Sequence, residues 1–319
     1  MSRYIVTGGA GFIGSNLVRA LLAGPHESVA VIDNYITGRR ENLDEIRKDV
    51  EVHEADIRDY ESMKRLMKGA DVVFHLAAIP SVPRSISDPV PSHDININGT
   101  FSVLRACADT GVGRVVYAAS SSAYGDTPTL PKVESMQPNP KSPYAAQKLM
   151  GEYYVSCFHS CFGLDAVGLR YFNVYGPRQD PSSPYSGVIS IFMRSVLDQT
   201  QPTMHGDGEQ TRDFTYVEDV AGLCIKASKA KGVGGMTFNA GNGNRYTLNM
   251  VWKLLNQIEG TDIPAKYGPS RAGDVKDSMA STEMAVKHLG HDPKFSLEEG
   301  LRRTLAWYRT QHEPAVAAR

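Results

Sequence analysis

Tyr144 and Lys148 are the residues whose types and spacing most clearly suggest chemistry. They lie four residues apart in a segment with a helical pattern, Tyr144-Ala-Ala-Gln-Lys148. At this spacing both side chains leave one face of a helix, one turn apart. A free phenol has a pKa of about 10, and a nearby ammonium lowers it, so Tyr144 becomes a candidate proton acceptor. The same spacing is common on solvated helix faces, so its interpretation depends on the surrounding elements.

A serine cluster precedes this helix. Ser120, Ser121 and Ser122 follow a predicted buried strand. Ligands of open α/β sheets bind at the carboxyl ends of the strands. Serines in such a place also form ordinary turns, but a candidate base on the next helix favours a hydroxyl cluster beside a substrate. We therefore predict Ser120, Tyr144 and Lys148 as the catalytic group.

The beginning of the chain predicts a cofactor site. An apolar strand over residues 3–7 leads into a glycine turn and a helical pattern, Thr7-Gly8-Gly9-Ala10-Gly11-Phe12-Ile13-Gly14. Gly8 allows the tight turn, Gly11 lets the backbone approach a pyrophosphate, and Gly14 lets the helix pack closely on its strand. The free N–H groups at the start of the helix then face the phosphates. Strand, turn and helix in this order predict a dinucleotide-binding unit.

The acid at the end of the second strand predicts which dinucleotide binds. Asp33-Asn34 ends the strand over residues 28–32, and Asp33 lies 19 residues after Gly14. An acid near this distance binds the adenosine ribose diol in such units, so it favours NAD and repels the additional phosphate of NADP. Arg39 and Arg40 lie just beyond and soften this preference.

The rest of the chain continues the alternation of strands and helices. We predict strands over 51–54, 72–75, 114–119, 164–170 and 236–240 and around Met204, and helices over 91–111, 142–162, 188–197, 215–230, 248–259 and 297–311. His75 is predicted to pack at a strand end rather than to act in catalysis. The pattern indicates an α/β fold, a doubly wound parallel sheet of Rossmann type with a smaller α/β substrate-binding domain. We assign residues 1–172 plus 213–241 to NAD binding, and residues 173–212 plus 242–319 to the substrate.

Composition narrows the class of protein. The 34 basic and 35 acidic residues of the 319 nearly cancel, which argues against a nucleic acid or a membrane surface as partner. No apolar run reaches membrane-spanning length, and the N-terminus has no signal-peptide pattern. The four cysteines lack metal-site spacing, so we predict no metal and reduced, mostly buried thiols, with Cys157 and Cys161 in the core. We expect a soluble cytoplasmic protein.

Taken together, the glycine turn, Asp33, the serines and the Tyr/Lys pair resemble the extended short-chain dehydrogenase/reductase superfamily over nearly the whole chain. The sequence is most similar to nucleotide-sugar 4-epimerases, particularly those acting on UDP-N-acetylhexosamines. The supporting stretches are Asp33-Asn34, Ser81-Val82-Pro83-Arg84-Ser85, Ala118-Ala119-Ser120-Ser121-Ser122, Arg170-Tyr171-Phe172-Asn173-Val174-Tyr175-Gly176, Arg212-Asp213-Phe214 and Arg271-Ala272-Gly273-Asp274-Val275.

The resemblance implies an isomerase that recycles tightly held NAD. Tyr144 would take the proton of the sugar 4-hydroxyl with Ser120 as a hydrogen-bonding bridge, and the resulting 4-keto sugar would rotate and be reduced on its other face. Lys148 would bind the nicotinamide ribose and favour the phenolate. Asn173, Arg212, Arg271 and Asp274 would hold UDP, since arginine donates two directed hydrogen bonds to a diphosphate.

The predicted site contains the following residues. Cofactor contacts are Gly8, Gly11, Phe12, Ile13, Gly14, Asp33, Asn34, Gly38, Asp56, Ile57, Leu76, Ala77, Ala78, Tyr144, Lys148, Tyr171 and Val174. Substrate contacts are Ser81, Ser120, Ser121, Ser122, Asn173, Gly187, Val188, His205, Arg212, Arg271, Asp274 and Ser278.

Related reactions of the superfamily stay open as alternatives. Sugar 4,6-dehydratases place Asp-Glu directly after the hydroxyl residue, and glucuronate decarboxylases usually carry a glutamate in that cluster. Here these places hold Ser121 and Ser122, which favours epimerisation. The alternatives are a UDP-glucose 4-epimerase without N-acetyl activity, a UDP-glucuronate 4-epimerase or decarboxylase, and a non-catalytic NAD-binding sensor or scaffold.

Residue types along the predicted sugar pocket indicate the substrate. In similar 4-epimerases, a residue seven positions after the arginine of the Arg-x-Gly-Asp motif borders the hexose, and a small one leaves room for an N-acetyl group. Ser278 occupies it here, which predicts UDP-GlcNAc/UDP-GalNAc as substrates with UDP-Glc/UDP-Gal also possible. Pro80 and Ser281 depart from the N-acetyl-specific pattern and argue against exclusive specificity. The resemblance also implies a homodimer through helices 91–111 and 142–162.

Overall fold

The computed structural model describes residues 2–180, 187–269 and 275–311. Its strands are β1 Arg3–Thr7, β2 Ser28–Asp33, β3 Glu51–Glu54, β4 Val72–His75, β5 Arg114–Ser120, β6 Ala166–Tyr171, β7 Asn173–Tyr175, β8 Thr203–His205, β9 Thr211–Arg212, β10 Phe214–Tyr216, β11 Thr237–Ala240, β12 Tyr246–Thr247 and β13 Lys266–Gly268. Its α-helices are α1 Phe12–Leu22, α2 Tyr60–Met67, α3 Val82–Ser87, α4 Pro89–His93, α5 Thr100–Thr110, α6 Pro143–Phe162, α7 Val188–Leu197, α8 Val217–Lys229, α9 Leu248–Glu259, α10 Glu283–Leu289 and α11 Leu297–Gln311. Short 3-10 segments cover Arg40–Ile46 and Ser121–Tyr124, and a π-helical turn covers Asp94–Gly99.

A parallel sheet forms the centre of the molecule. Within the described ranges its seven strands run in the order β11-β6-β5-β4-β1-β2-β3. The strands inside the sheet are nearly continuous apolar runs, whereas the edge strand β3 is exposed at both ends. Such apolar runs are expected where helices cover both faces: α1, α8 and α10 pack on one side, and α2, α5 and α6 on the other. The chain order reverses between β1 and β4, where doubly wound sheets bind their ligands. The predicted fold class is confirmed.

A separate core lies among the later elements. Buried side chains of α7, α9 and α11 pack with those of β10 and form their own apolar cluster. Such a cluster is expected of a second lobe. The assignment of residues 173–212 plus 242–319 to this lobe, and of 1–172 plus 213–241 to the cofactor, stays a prediction.

Helix α6, which carries the Tyr/Lys pair, begins and ends at local signals in the sequence. The Ser142 side chain caps it by accepting a hydrogen bond from the amide of Ala145 at 3.2 Å. Pro143 occupies the first turn, where its missing N–H costs nothing. Gly163 ends the helix with a φ of 69°, a conformation that glycine adopts without strain. The predicted helix over 142–162 is therefore confirmed.

The predicted helix over 91–111 is helical along its length, but it is not one regular α-helix. It consists of α4, the π-helical turn and then α5. In that turn the buried Asn96 side chain accepts a hydrogen bond from the Ile79 amide at 2.8 Å and donates one to the Ile79 carbonyl at 3.2 Å. π-helical turns often accompany such specific side-chain contacts. The periodicity of the segment contains no sign of this distant partner.

Two further expectations are corrected. Cys157 and Cys161 are exposed, whereas Cys107 and Cys224 are buried; all four thiols are free. The first two lie on the outer face of α6, one turn apart, so shared helical spacing did not mean core packing. The predicted helix over 215–230 begins later because its first residues pair with β7 as strand β10.

Candidate active site

Ser120 and Tyr144 meet where β5 ends and α6 begins. The Ser120 hydroxyl accepts hydrogen bonds from the Ser122 amide at 3.2 Å and the Ser122 hydroxyl at 2.8 Å. The backbone amide of Tyr144 donates to the buried Ser85 hydroxyl at 3.1 Å, which fixes the first turn of α6. Burial raises the pKa of the Tyr144 phenol, and a hydrogen bond with Ser120 opposes this rise. The predicted base and its hydroxyl partner are thus in direct contact.

Lys148 lies one turn further along α6 and is 4% exposed. Its Nζ donates to the Ala118 carbonyl at 2.9 Å and lies 5.1 Å from the centroid of the Tyr117 ring. Burial lowers the pKa of Lys148 to about 8, although the charge of Glu152 opposes this change. A cation that titrates in this range is still largely charged at neutral pH, so Lys148 provides a buried positive charge one helical turn from Tyr144.

His75 packs inside the sheet, as the sequence predicted. Its Nδ1 is 2.7 Å from the Thr7 hydroxyl and its Nε2 is 3.0 Å from the Thr100 hydroxyl. Burial, with the nearby charge of Lys148, lowers the pKa of His75 to about 3. The imidazole is therefore neutral at physiological pH and holds two elements together.

The glycine turn, here called the cradle, is so closely packed that a side chain at Gly8 or Gly14 would clash with the backbone. Gly8 has a φ of 73°, and a Cβ there would lie 2.7 Å from the Ala77 amide nitrogen. A Cβ on Gly14 would lie 2.1 Å from the Gly8 carbonyl oxygen, so only glycine lets α1 approach β1 so closely. The turn leaves the first amides of α1 directed at the sheet edge, where a pyrophosphate would bind.

Asp33 stands at the edge of this cradle. Its carboxylate accepts hydrogen bonds from the amides of Ala10 at 2.9 Å and Tyr35 at 2.8 Å. Burial raises the pKa of Asp33, and the two amides oppose that rise. A Cβ on Gly38 would lie 2.7 Å from the Asp33 carboxylate, so glycine keeps the space in front of the acid open.

The two arginines beyond Asp33 are engaged elsewhere. Arg40 pairs with Glu54 at 2.6 Å and lies 3.9 Å from the centre of the Tyr35 ring. Arg39 lies 3.6 Å from Asp180 and 3.7 Å from a second carboxylate, that of Glu41. Both guanidinium groups are thus paired with carboxylates and not placed to bind the additional phosphate of NADP. This arrangement fits NAD better than NADP.

Other predicted cofactor residues lie at the same strand ends. The Asn34 amide donates to Asp56 at 3.0 Å, and Arg58 lowers the pKa of Asp56 to about 2 by hydrogen bonding. Leu76, Ala77 and Ala78 follow β4 directly. Ile57 comes shortly after β3, and Val174 lies within β7. The Tyr171 hydroxyl instead lies 3.0 Å from the Cys224 sulfur inside the core.

The predicted substrate residues are only partly brought together. Arg212 donates to the carbonyls of Thr211 at 2.9 Å and Lys276 at 3.1 Å, and the Ser278 amide donates to the Thr211 carbonyl at 3.2 Å. Arg212 and Ser278 therefore share one small backbone ladder. Arg271 and Asp274 lie outside the described residues.

The remaining substrate candidates occupy separate elements. Ser81 caps α3 by accepting from the Arg84 amide at 3.1 Å. His205 ends β8, with its Nδ1 3.2 Å from the Pro269 carbonyl. The others lie in the 3-10 segment after β5, on β7 and at the start of α7: Ser121, Ser122, Asn173, Gly187 and Val188.

Asp213 is an organising residue to which the sequence analysis gave no role. Its fully buried carboxylate accepts hydrogen bonds from the amides of Asn242 at 2.8 Å, Gly243 at 3.0 Å and Ala280 at 3.0 Å. Burial raises its pKa, and these amides oppose the rise. Asp213 thus ties the segment that carries Ser278 to the end of β11. In the sequence Asp213 lies between Arg212 and Phe214 in a mostly polar segment, so its burial could not be predicted from local hydrophobicity.

These features fit a bound dinucleotide, and comparison with known proteins agrees. A model of the NAD dependent epimerase/dehydratase family matches residues 4–241, and the chain belongs to this family. It is an enzyme that uses NAD, and its relatives include UDP-sugar 4-epimerases.

Three relatives illustrate the likeness. The UDP-glucose 4-epimerase of Mycolicibacterium smegmatis is 37% identical over 98% of this chain and 100% of its own. The structure of the UDP-N-acetylglucosamine 4-epimerase of Methanobrevibacter ruminantium, in complex with UDP-N-acetylmuramic acid, has a TM-score of 0.93 and 37% identity, covering 98% and 99% of the two chains. The UDP-glucuronic acid 4-epimerase of Bacillus cereus, with UDP-glucuronic acid and NAD, has a TM-score of 0.90 and 32% identity over 97% and 100%.

The cradle makes a prediction about Gly14. Gly14→Ala should lower the free energy of unfolding by about 2 kcal/mol and weaken NAD binding at least tenfold, on the order of what overpacking and a displaced phosphate loop cost. Denaturant unfolding and NAD titration measure both effects. Gly222→Ala on α8 is the matched control, because nothing lies within 4 Å of its added Cβ. Equal NAD affinity in the two variants would contradict the role of Gly14.

Proposed function

We propose that this enzyme catalyses the 4-epimerisation of a UDP-hexose, with UDP-GlcNAc/UDP-GalNAc preferred and UDP-Glc/UDP-Gal also accepted. The observation that carries the proposal is the hydrogen bond of Ser120 with Tyr144, with the buried cation Lys148 one turn further along α6 and serines at the two positions after Ser120. Removing and returning one hydride and one proton at C4 needs one base and no second acid. A dehydratase or decarboxylase needs further acid chemistry that Ser121 and Ser122 do not supply at neutral pH.

The residues of the chain divide the work as follows. Tyr144 accepts the proton of the 4-hydroxyl, and Ser120 bridges by hydrogen bond. Bound NAD supplies the acceptor and later the donor of the C4 hydride. The charge of Lys148 favours the phenolate that accepts this proton, and Tyr144 gives the same proton back to the 4-oxygen when the hydride returns. The sugar must turn between the two half-steps, so the pocket around it has to be roomy.

The UDP part would be held by Asn173 and Arg212 together with Arg271 and Asp274. Arg212 is positioned for this by carbonyls on both sides of its ladder. A guanidinium fixed in this way is suited to the two-point recognition of a diphosphate. The anchor would stay bound while the hexose rotates.

Two alternatives are supported by particular observations. The Bacillus cereus neighbour acts on UDP-glucuronic acid, so UDP-glucuronate 4-epimerisation is a second candidate, while a decarboxylase is disfavoured by the serines after Ser120. A UDP-glucose 4-epimerase without N-acetyl activity is the third, and the likeness to the UDP-glucose 4-epimerase of Mycolicibacterium smegmatis supports it. The intact group of Ser120, Tyr144 and Lys148 argues against a non-catalytic sensor.

One assay separates these functions. Purified enzyme is incubated with UDP-Glc, UDP-Gal, UDP-GlcNAc, UDP-GalNAc and UDP-glucuronate in turn, without added NAD, and the epimers are resolved by chromatography. Conversion of the N-acetylated pair supports the proposal and shows that NAD is retained. Turnover of UDP-glucuronate alone would replace it with the second candidate.

Ser278 makes a prediction about the N-acetyl group. Ser278→Tyr should lower kcat/KM for UDP-GalNAc on the order of tenfold or more and leave UDP-Gal nearly unchanged, because a phenol would fill the space of the acetamide. Competition between the two substrates measures the ratio. Ser278→Ala keeps the space and serves as the control. Wild-type enzyme that turns over UDP-Gal but not UDP-GalNAc would contradict the pocket hypothesis.

We also propose a homodimer through α5 and α6. Phe101 on α5 and Met150, Tyr153 and Phe162 on α6 are large apolar side chains that remain exposed, the last at 66%. Surfaces of this kind usually mark an interface. Light scattering at micromolar concentration should show a dimer, and Tyr153→Asp should shift it toward monomer. A wild-type monomer would refute the proposal.

The cellular location of the protein is also a proposal. No helix in the described ranges is long and apolar enough to cross a membrane. The sequence leads to the expectation of a cytoplasmic protein, and we propose the cytoplasm as its site of action.

A further inference from the structure

A buried ion pair lies further along the helix that carries Tyr144 and Lys148. Glu152 on α6 and Arg170 on β6 are 6% and 5% exposed. Arg170 Nε and Nη2 donate to the Glu152 carboxylate through three contacts of 2.7–3.1 Å. The Arg170 guanidinium also lies 4.6 Å from the centre of the Tyr124 ring. Burying such a pair is costly, and its net contribution to stability is small or negative, so its presence points to another role.

The position of Glu152 on α6 relates it to the reacting group. Tyr144, Lys148 and Glu152 follow one another at intervals of four residues and therefore line one face of the helix. Glu152 is about 6 Å along the axis from Lys148 and about 12 Å from Tyr144, given the rise of an α-helix. Coulomb's law then makes the effect of its charge on Lys148 the larger one.

Other charges around α6 do not replace it. The titratable or charged groups on the elements packed against the helix are His75 on β4, Arg114 and Tyr117 on β5, Tyr124 in the 3-10 segment, Arg170 and Tyr171 on β6, Arg84 on α3, His93 on α4, Asp94 in the π-helical turn, and Arg105, Cys107 and Asp109 on α5. Burial raises the pKa of the Cys107 thiol, so it is uncharged. Asp94 is bound to Arg58 at 2.6 Å, and Asp109 faces Arg105 on the outer surface. Among the carboxylates in the described part of α6 and of these elements, Glu152 is the one that is buried.

We propose that Glu152, held by Arg170, is a positioning residue that keeps the buried ammonium of Lys148 charged and so keeps Tyr144 able to act as the base. This rests on the proposed function, because it assigns a role within the same site. Arg170 compensates the carboxylate and fixes its place one turn below Lys148. The pair is therefore the support on which the charge of the catalytic lysine depends.

The direction of the charges agrees with this role. Burial lowers the pKa of Lys148 to about 8, and Glu152 acts against that fall. The pKa of Glu152 itself is raised by burial, which the hydrogen bonds and charge of Arg170 oppose. Removing the carboxylate should therefore let Lys148 lose its proton at a lower pH, while Tyr144 loses the cation that favours its phenolate.

The test compares three variants of the full-length, NAD-loaded enzyme. Glu152→Gln should move the alkaline midpoint of kcat down on the order of one pH unit, because the neutral amide leaves Arg170 uncompensated near Lys148. Glu152→Gln combined with Arg170→Gln should give a smaller downward shift and recover thermal stability. Glu298→Gln, which removes an exposed carboxylate from an ion pair on α11, should leave the midpoint unchanged.

A second measurement does not depend on turnover. NMR titration of the lysine Nζ signals follows Lys148 directly, with the signal assigned by its loss in Lys148→Met. The Lys148 midpoint should shift in the same order across the variants. If Glu152→Gln lowers stability or kcat but leaves both midpoints in place, the pair is merely structural and the inference is overturned. If Glu152→Gln does not fold, the double variant decides by the same criterion.

Failure of the proposed function would give a different result from failure of the role of Glu152. In that case the wild-type enzyme turns over none of the UDP-sugars, yet the NMR titration still shows whether Glu152 controls the charge of Lys148. An unchanged Lys148 midpoint alongside normal wild-type turnover would reject only the role of Glu152.

Discussion

Tyr144→Phe should leave an enzyme that binds NAD but converts UDP-hexoses on the order of 10²- to 10⁴-fold more slowly, the usual contribution of a positioned base. The change removes the hydroxyl that contacts Ser120 and leaves the ring in place. The fold should persist, because the fixed point at the start of α6 is the backbone amide of Tyr144 on Ser85, which the substitution keeps. Single-turnover conversion and NAD content are the measurements.

A second tyrosine on the same helix provides the control. Tyr153 is 53% exposed and makes no contact with the catalytic group, so Tyr153→Phe removes an equivalent hydroxyl at no cost to turnover. If Tyr144→Phe retained wild-type kcat, another group would have to be the base. Loss of turnover together with loss of NAD would instead indicate a damaged fold.

Local signals explain why parts of the fold were predictable. The bounds of β1 and β4 follow from short apolar runs, and the caps of α6 follow from Ser142 and Gly163, which need no distant partner. The candidate site was predictable for a related reason. Parallel strands place their carboxyl ends along one edge, so Asp33 and Ser120 must lie near the glycine turn.

What the sequence did not predict depends on distant contacts. The π-helical turn accompanies the hydrogen bonds of Asn96 to Ile79, and strand β10 forms because β7 is there to pair with it. Asp213 is defined by amides from two remote segments. The Glu152–Arg170 pair joins residues that only the fold brings together.

Lys148→Met should lower the activity of the enzyme but raise its free energy of unfolding. Turnover should fall on the order of 100-fold or more, since the phenolate of Tyr144 loses its cation. The pKa of Lys148 is lowered from its ordinary value of 10.5 to about 8 in the folded protein. This corresponds to about 3 kcal/mol of cost for the buried charge. Methionine has a similar length and no charge, but leaves the Ala118 carbonyl without its donor, at a cost of about 1 kcal/mol. A net gain of about 2 kcal/mol in the free energy of unfolding remains.

The pH dependence of this gain follows from the two pKa values. Below pH 8 Lys148 is charged in both the folded and the unfolded protein, so the wild type carries the whole burial cost and the advantage of Lys148→Met is complete. Between pH 8 and 10.5 the folded protein releases the proton before the unfolded chain does, so the wild type gains stability and the difference shrinks. Urea unfolding of both proteins at pH 7 and pH 10 measures it. A variant that is less stable than the wild type at pH 7 would show that Lys148 contributes to the fold and is not held in place at the expense of stability.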